Sequence, residues 1–464
     1  MPATAALAVM ASAILVYQPV YAAALVLGAC LLIVLATNVH VLPVFLILTM
    51  FVESLALGPG LRIGRLAGGI ALAVIACYLI ARGSAGLRPN ALLTTAATFG
   101  VWMIASSYWA SEQGPVFRNL FSYSLGIAYL LTFAVLIRTE RQLVAVFSTL
   151  AFASFIFGIV AFATYASSHG AVSAAETARG SGLQGDPNYF ATYQVIALPA
   201  ALALAVWERR PQWRAAYYGI VAVILVSVVS SLSRGGLVAL SVVVAATVLL
   251  PRRAFFRRAG QKVNYLVAML AAAGVAVLVG SAAFVSRVQS ILNPSQQQGF
   301  RGSGRLDLWS AAWHGFRDHA WFGVGSGNFA VHALDLLQST PGVDTTQHYV
   351  SAGREVHNAY LETLVELGPL GAALFALLIG LSLWYLVRAA RRARRQGRAT
   401  LERFAIALAV SVLGYAISAI FLSIELAKAV FILAGLALAL DVMTREAGGL
   451  GSNQSLTTEE PTPR

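Results

Sequence analysis

Apolar residues run along this chain in long blocks, separated by short polar stretches. The blocks fall at roughly 3–17, 20–37, 40–57, 66–81, 91–110, 119–137, 143–166, 189–207, 215–232, 235–250, 263–285, 358–387, 404–423 and 426–444. Most approach the roughly 20 residues that carry a helix across a hydrocarbon layer about 30 Å thick. Barrel strands would be about 10 residues long and would alternate in polarity. The pattern therefore predicts an all-α polytopic membrane bundle of about 12–14 transmembrane helices, the first two blocks being short enough to form one re-entrant pair. Residues 1–446 read as a single integral membrane domain. Residues 447–464, rich in Gly, Ser, Thr and Pro, read as a disordered cytoplasmic tail. The segment Met1 to Tyr17 lacks a basic flank and reads as a first span rather than a cleaved signal.

Composition narrows the class. Charged residues make up 11 % of the 464-residue chain and hydrophobic ones 58 %, with a mean hydropathy of +0.75. A soluble domain carries about 25 % charged residues, so a water-soluble enzyme and a disordered chain are both excluded. The net charge of +13 changes the picture less than it first suggests. Alternating the spans puts 21 of the 32 Lys and Arg on one side, including the cluster from Arg388 to Arg403. That side is expected to be cytoplasmic, with both termini on it. The basic excess then reflects topology and lipid headgroups rather than nucleic acid. Cys30 and Cys77 both lie in apolar runs and are expected to be small buried side chains, with no disulfide implied.

The informative residues lie on the opposite, outer face. Two segments there are longer than turns: Ser167 to Asn188, and the large loop 286–356. Long loops in compact proteins are commonly functional. Within the large loop, Leu306, Trp309, Trp313 and Phe316 recur at helical spacing, predicting an amphipathic helix over Arg305 to His319. A Gly-rich turn, Phe322 to Phe329, and a second short helix, Ala330 to Leu337, follow. The loop is expected to act as a lid over the outer mouth. Arg234, in the tight turn SLSRGG, and Arg305 stand where the topology rule does not explain them. Arg301, Arg179 and Arg354 share that face. Guanidinium forks suit phosphate or carboxylate, and Glu425, near Lys428 in SIELAK, is an internal candidate partner for Arg234.

His357 stands where the large loop feeds a span, with Asn358 after it. A helix N-terminus disfavours imidazolium and so favours a neutral base. A plain polar cap is the other reading of the same pattern, and both stay open on local pattern alone. The outer loops hold no Asp-x-Asp pair, and the chain has no phosphate-cradling Gly-Lys-Ser/Thr loop and no zinc-type His spacing. Neither metal, nucleotide nor other cofactor is expected.

These pieces together resemble the O-antigen ligase and polymerase superfamily of bacterial envelope glycosyltransferases. The resemblance rests on GDPNYFA at Gly185 to Ala191, SLSRGGL at Ser231 to Leu237, and the stretch from Gly304 to Phe329. It continues with HNAYLETLVELGPLG at His357 to Gly371 and with SIELAK ending at Lys428. It implies a GT-C-like, metal-independent, inverting enzyme. The donor would be a glycan on polyprenyl (undecaprenyl) diphosphate and the acceptor lipid A–core, joined at the periplasmic face. It implies His357 as base and Arg234 and Arg305 as diphosphate ligands. Asn358, Asp186, Asn188, Arg301, Glu425 and Lys428 are supporting candidates. The His-Asn spacing favours a ligase. A polymerase or a protein O-oligosaccharyltransferase of the same superfamily, or a lipid-carrier flippase or other transporter, are the alternatives.

Overall fold

The computed structural model describes residues 34–58 (except 36), 61–83, 88–167, 181–250, 252–279, 304–343 and 353–453. They form an all-α bundle with one two-stranded hairpin. In chain order the elements begin with α1 (Leu42–Met50), β1 (Ala56–Gly58), β2 (Leu61–Arg62), α2 (Ile63–Arg82), α3 (Ala91–Ala105) and α4 (Gln113–Leu136). Next come α5 (Glu140–Ser167), α6 (Pro187–Trp207), α7 (Pro211–Ser230), α8 (Arg234–Leu249), α9 (Arg252–Phe255) and α10 (Ala259–Val279). The last are α11 (Arg305–Asp318), α12 (Phe329–Ser339), α13 (Ala359–Arg395), α14 (Ala399–Ser418) and α15 (Lys428–Asn453). Among the described residues eight helices are long and apolar enough to cross a membrane: α2, α3 with its extension to Tyr108, α4 to α7, α13 and α14.

α6 is the axis. Every residue from Phe190 to Val206 is buried, and the helix packs against α5, α7, α8 and α14. A helix apolar all round belongs inside a bundle, and this one is. α4 packs on α15, and α13 packs on α14, α15 and α3.

The end of the bundle that gathers the basic loops is laced by charge. Arg392 and Arg445 both reach Asp441, at 2.7 and 2.5 Å, and Arg398 reaches Glu140 at 3.2 Å. The Arg257 guanidinium donates to the carbonyls of Val206 and Glu208, the last unpaired acceptors of α6. Several of the arginines at this end are therefore structural ties.

The structure departs from the hydropathy reading in four places. The block at 40–57 is not one span: only Leu42–Met50 is α-helical, and the hairpin β1–β2 follows. Glu53 and the Gly58-Pro59-Gly60 sequence break the helix there. Cys77 is exposed, on the outward face of α2, since Ala71, Val74 and Ile75 take the inner face. On α11 the buried positions are Leu308, Ala311, Ala312 and Gly315, while Leu306 and Trp313 face outward. The small residues allow close approach to Leu336 and Val365, which the aromatic ones would block. Finally, α15 runs past Glu446 to Asn453, inside the segment read as tail. The blocks at 3–17 and 20–37, the loop residues 286–303 and the last residues, 454–464, lie outside the described residues, 34, 35 and 37 excepted.

Candidate functional site

Opposite the basic loops, the N-termini of α6, α8, α13 and α15 meet. The sequence caps three of them: Asp186 accepts from the amides of Asn188 and Tyr189, Ser233 from Gly236, and Asn358 from Tyr360 and Leu361. Cross-links hold the ends in register. Ser233 Oγ donates to Asn188 Oδ1 at 2.8 Å, so Arg234, the first residue of α8, stands beside the start of α6. Tyr189 OH donates to the Ser423 carbonyl at 2.6 Å, in the turn between α14 and α15. Converging helix N-termini carry partial positive charge and favour an anion.

His357 sits at this meeting point in a left-handed backbone conformation, φ 56°. Such a geometry costs a non-glycine residue about 1–2 kcal/mol and persists where neighbours over-determine it. Here they do. The His357 amide donates to Ser423 Oγ at 3.0 Å, and the Ala359 amide to the carbonyls of Ala419 and Leu422 at 2.8 and 2.9 Å. The Glu362 carboxyl is buried close by, its Oε2 without a hydrogen-bond partner among the described residues. The His357 Nδ1 atom is buried with no partner among the described residues. Burial, helped by the Arg305 and Arg354 guanidinium groups, holds the imidazole down to about 4, while Asp186 pulls the other way. At pH 7 it is neutral.

The large loop is docked rather than loose where it is described. α11 and α12 pack on each other and on the first turns of α13 through Leu308, Ala312, Phe329 and Val365. The Gly-rich turn between them is clamped by Glu366, which accepts the amides of Gly327 and Phe329 at 2.7 and 3.3 Å. Two glycines make the clamp possible. Gly323 (φ 71°) lies against the Glu366 carbonyl, and Gly368 (φ 68°) against the Trp321 carbonyl, with no room for a Cβ at either. Gly368 with Pro369 also breaks α13, and Trp102 Nε1 donates to the Leu367 carbonyl at the break, at 2.8 Å.

The residues expected from the sequence divide as follows. Arg305 and Asp186 both act electrostatically on His357, with opposite signs. Asn358 caps α13, and Asn188 ties α6 to α8 beside Arg234. Glu425 lies behind this layer. Burial, then Glu366 and Glu355, push its carboxyl up to about 8, and its Oε2 is buried without a partner among the described residues. Lys428 and Asp186 line a cavity of about 530 Å³ on the same end, which His357, Arg234 and Arg305 do not line. Arg301 lies outside the described residues.

Sequence reasoning missed Ser423, Glu362, Glu366 and the cavity wall around Glu53 and Gln184. A signal existed for the two acids: acids inside or beside an apolar span are seldom idle, and Glu362 and Glu366 both sit in the quoted motif from His357 to Gly371. Gln184 donates to the Met50 carbonyl and Tyr193 OH to Glu53 Oε1, each at 2.5 Å, over chain separations of 134 and 140. No local pattern announces such pairs.

Residues 219–376 match the O-antigen ligase family model. The match begins inside α7 and ends inside α13, so it contains Arg234, Arg305 and His357 but not Asp186, Glu425 or Lys428. No curated protein matches the chain. The match is consistent with the O-antigen ligase superfamily and supports a ligase- or polymerase-type membrane glycosyltransferase.

Proposed function

With the match of residues 219–376 to the O-antigen ligase family model as the premise, we propose that this protein moves a glycan from a polyprenyl diphosphate carrier to lipid A–core. The site faces the periplasm, the architecture is GT-C-like, and the reaction inverts the anomeric centre without a metal. One observation carries the reading: a neutral, buried histidine held at converging helix N-termini with Arg305 acting on it.

The step balances simply. The acceptor hydroxyl gives its proton to His357 as its oxygen attacks the anomeric carbon. The bond from that carbon to the diphosphate oxygen breaks, and the diphosphate leaves with the electron pair. Negative charge grows on the leaving group, where Arg234, Arg305 and the helix ends stabilise it. A base must be unprotonated to act, and burial keeps His357 so. Asn358 fixes the helix start, and Ser423 fixes the backbone that aims the ring.

The test is product identity. Protein in liposomes is given undecaprenyl-diphosphate glycan with rough lipopolysaccharide. A single glycan joined to core supports the ligase. A ladder lengthening on the carrier replaces it with a polymerase of the same superfamily. Glycan appearing on serines of an added acceptor protein would assign the protein-modifying branch. Movement of carrier-linked glycan across the bilayer with no new covalent product would assign a transporter.

A further inference from the structure

A second cavity, of about 430 Å³, lies at the basic end of the bundle, the end opposite His357. Arg214 lines it from the first turn of α7, and Arg257 and Arg258 from the turn before α10. Gly260, Gln261 and Asn264, in the first turns of α10, complete the wall. Among the described residues no carboxylate lines it.

These arginines differ from the others at that end. Arg392 and Arg445 share Asp441, and Arg398 has Glu140. Among the described residues neither Arg214 nor Arg258 forms an ion pair. Arg257 is fixed through Nε and Nη2 to the Val206 carbonyl, at 3.0 and 2.7 Å, and through Nη2 to that of Glu208. Carbonyls hold the guanidinium still without neutralising it. The side chain of Glu208 is engaged elsewhere, accepting the Arg210 amide at 2.9 Å. Gln261 adds a donor: its Oε1 accepts the amides of Arg257 and Arg258 at 2.7 and 3.1 Å, which leaves its NH2 group to donate. The positive end of the α10 dipole points the same way. The wall is thus a set of cations and donors without an internal anion.

The surface beside the cavity is apolar. Val263, Leu266, Val267 and Leu270 are all exposed and recur at helical spacing, so they form a strip along α10 that begins at the cavity wall. Trp213, next to Arg214, is exposed too, and its ring suits the membrane–water boundary. A water-soluble anion would use the arginines but not the strip. An amphiphile uses both. Three guanidinium groups also match a headgroup with two phosphates better than one with a single phosphate.

We propose that this cavity binds an anionic glycerophospholipid, preferably one whose headgroup carries two phosphates. The phosphates sit on Arg214, Arg257 and Arg258, and the acyl chains lie along the strip from Val263 to Leu270. α10 packs against α7, so the lipid joins both helices to the end of α6 that Arg257 closes.

The test counts bound lipid by native mass spectrometry on detergent-purified protein titrated with cardiolipin, phosphatidylglycerol, phosphatidylcholine or sodium pyrophosphate. Wild type should retain one cardiolipin and prefer it to phosphatidylglycerol, with phosphatidylcholine weakest. Arg214→Gln with Arg258→Gln should weaken cardiolipin about 30-fold, the product of roughly 1 kcal/mol for each basic residue. Gly260→Trp should abolish the site at unchanged net charge, since a Cβ there meets nothing within 4 Å and the ring fills the cavity. Arg391→Gln with Arg395→Gln removes the same charge from exposed positions at the end of α13 and should change binding less than twofold. Thermal midpoints confirm that each variant is folded. Equal losses in the two arginine pairs, or unchanged binding in Gly260→Trp, overturn the proposal. Displacement of cardiolipin by an equal concentration of pyrophosphate makes the cavity a site for free phosphate and overturns the lipid assignment.

Discussion

The hydroxyl of Ser423 accepts the backbone N–H of His357 at 3.0 Å, joining two residues 66 apart in sequence. That bond helps hold His357 at φ 56°. The α14–α15 turn is thereby the mould in which the proposed base is set. Ser423→Ala should lower kcat about tenfold, the scale of one lost buried hydrogen bond. Ser423→Thr should restore most of it. Steady-state kinetics on equal amounts of membrane-extracted protein makes the comparison.

The pH dependence follows from the environment of the imidazole. Its folded value is depressed from 6.5 to about 4, so the base stays competent as pH falls through 6.5 and is lost only near 4. The acid limb of kcat/KM should therefore lie well below pH 6. Arg305→Gln removes a cation that disfavours imidazolium, so the limb of its residual activity should move up. Asp186→Asn removes an anion that favours imidazolium, so its limb should move down. pH–rate profiles of the three proteins test the opposed signs.

The docking of the large loop turns on Gly368. Its φ of 68° and its contact with the Trp321 carbonyl leave no place for a side chain. Gly368→Ala should destabilise the α11–α12 layer by about 2 kcal/mol or more, from the left-handed penalty plus the clash. Proteolysis should then cut between 304 and 343 at lower protease concentration than in wild type, with transfer activity falling in parallel.

The far end of the bundle should behave differently. Asp441 is 4 % exposed and pairs with both Arg392 and Arg445. Asp441→Ala leaves two cations without their carboxylate and should lower the thermal midpoint. kcat and both KM values of the folded fraction should not change, because the ties there support the bundle and not the site.

Much of this architecture was legible in the sequence because lipid solvation imposes a coarse rule: about 20 apolar residues per helix. The spans 91–110 and 189–207 emerge as helices within a few residues of the expected limits. The rule fails where a polar group is buried for another purpose. Glu53 lies in an apolar block, and there the chain forms a short helix, a hairpin and a cavity wall instead of a span. On α11, residue size overrode apolarity: Ala311, Ala312 and Gly315 face inward because they permit close packing. At the site, residue types were readable and roles only partly so. His357, Arg305 and Asp186 stood out by charge and motif, yet Ser423 and Glu366 act through contacts made across the fold.

The account rests on His357 as the proton acceptor, with Arg234 and Arg305 holding the diphosphate. The most direct measurement is transfer from undecaprenyl-diphosphate glycan to rough lipopolysaccharide in liposomes containing EDTA. Wild type, His357→Ala, Arg234→Ala and Arg305→Ala are compared at matched folding. The account predicts product from wild type despite the chelator, and none from His357→Ala. It predicts a drop of about 10²–10³ in rate for each arginine variant, the scale of one lost anion-stabilising contact. Wild-type rates in the His357 variant, or loss of wild-type activity on chelation, would contradict it.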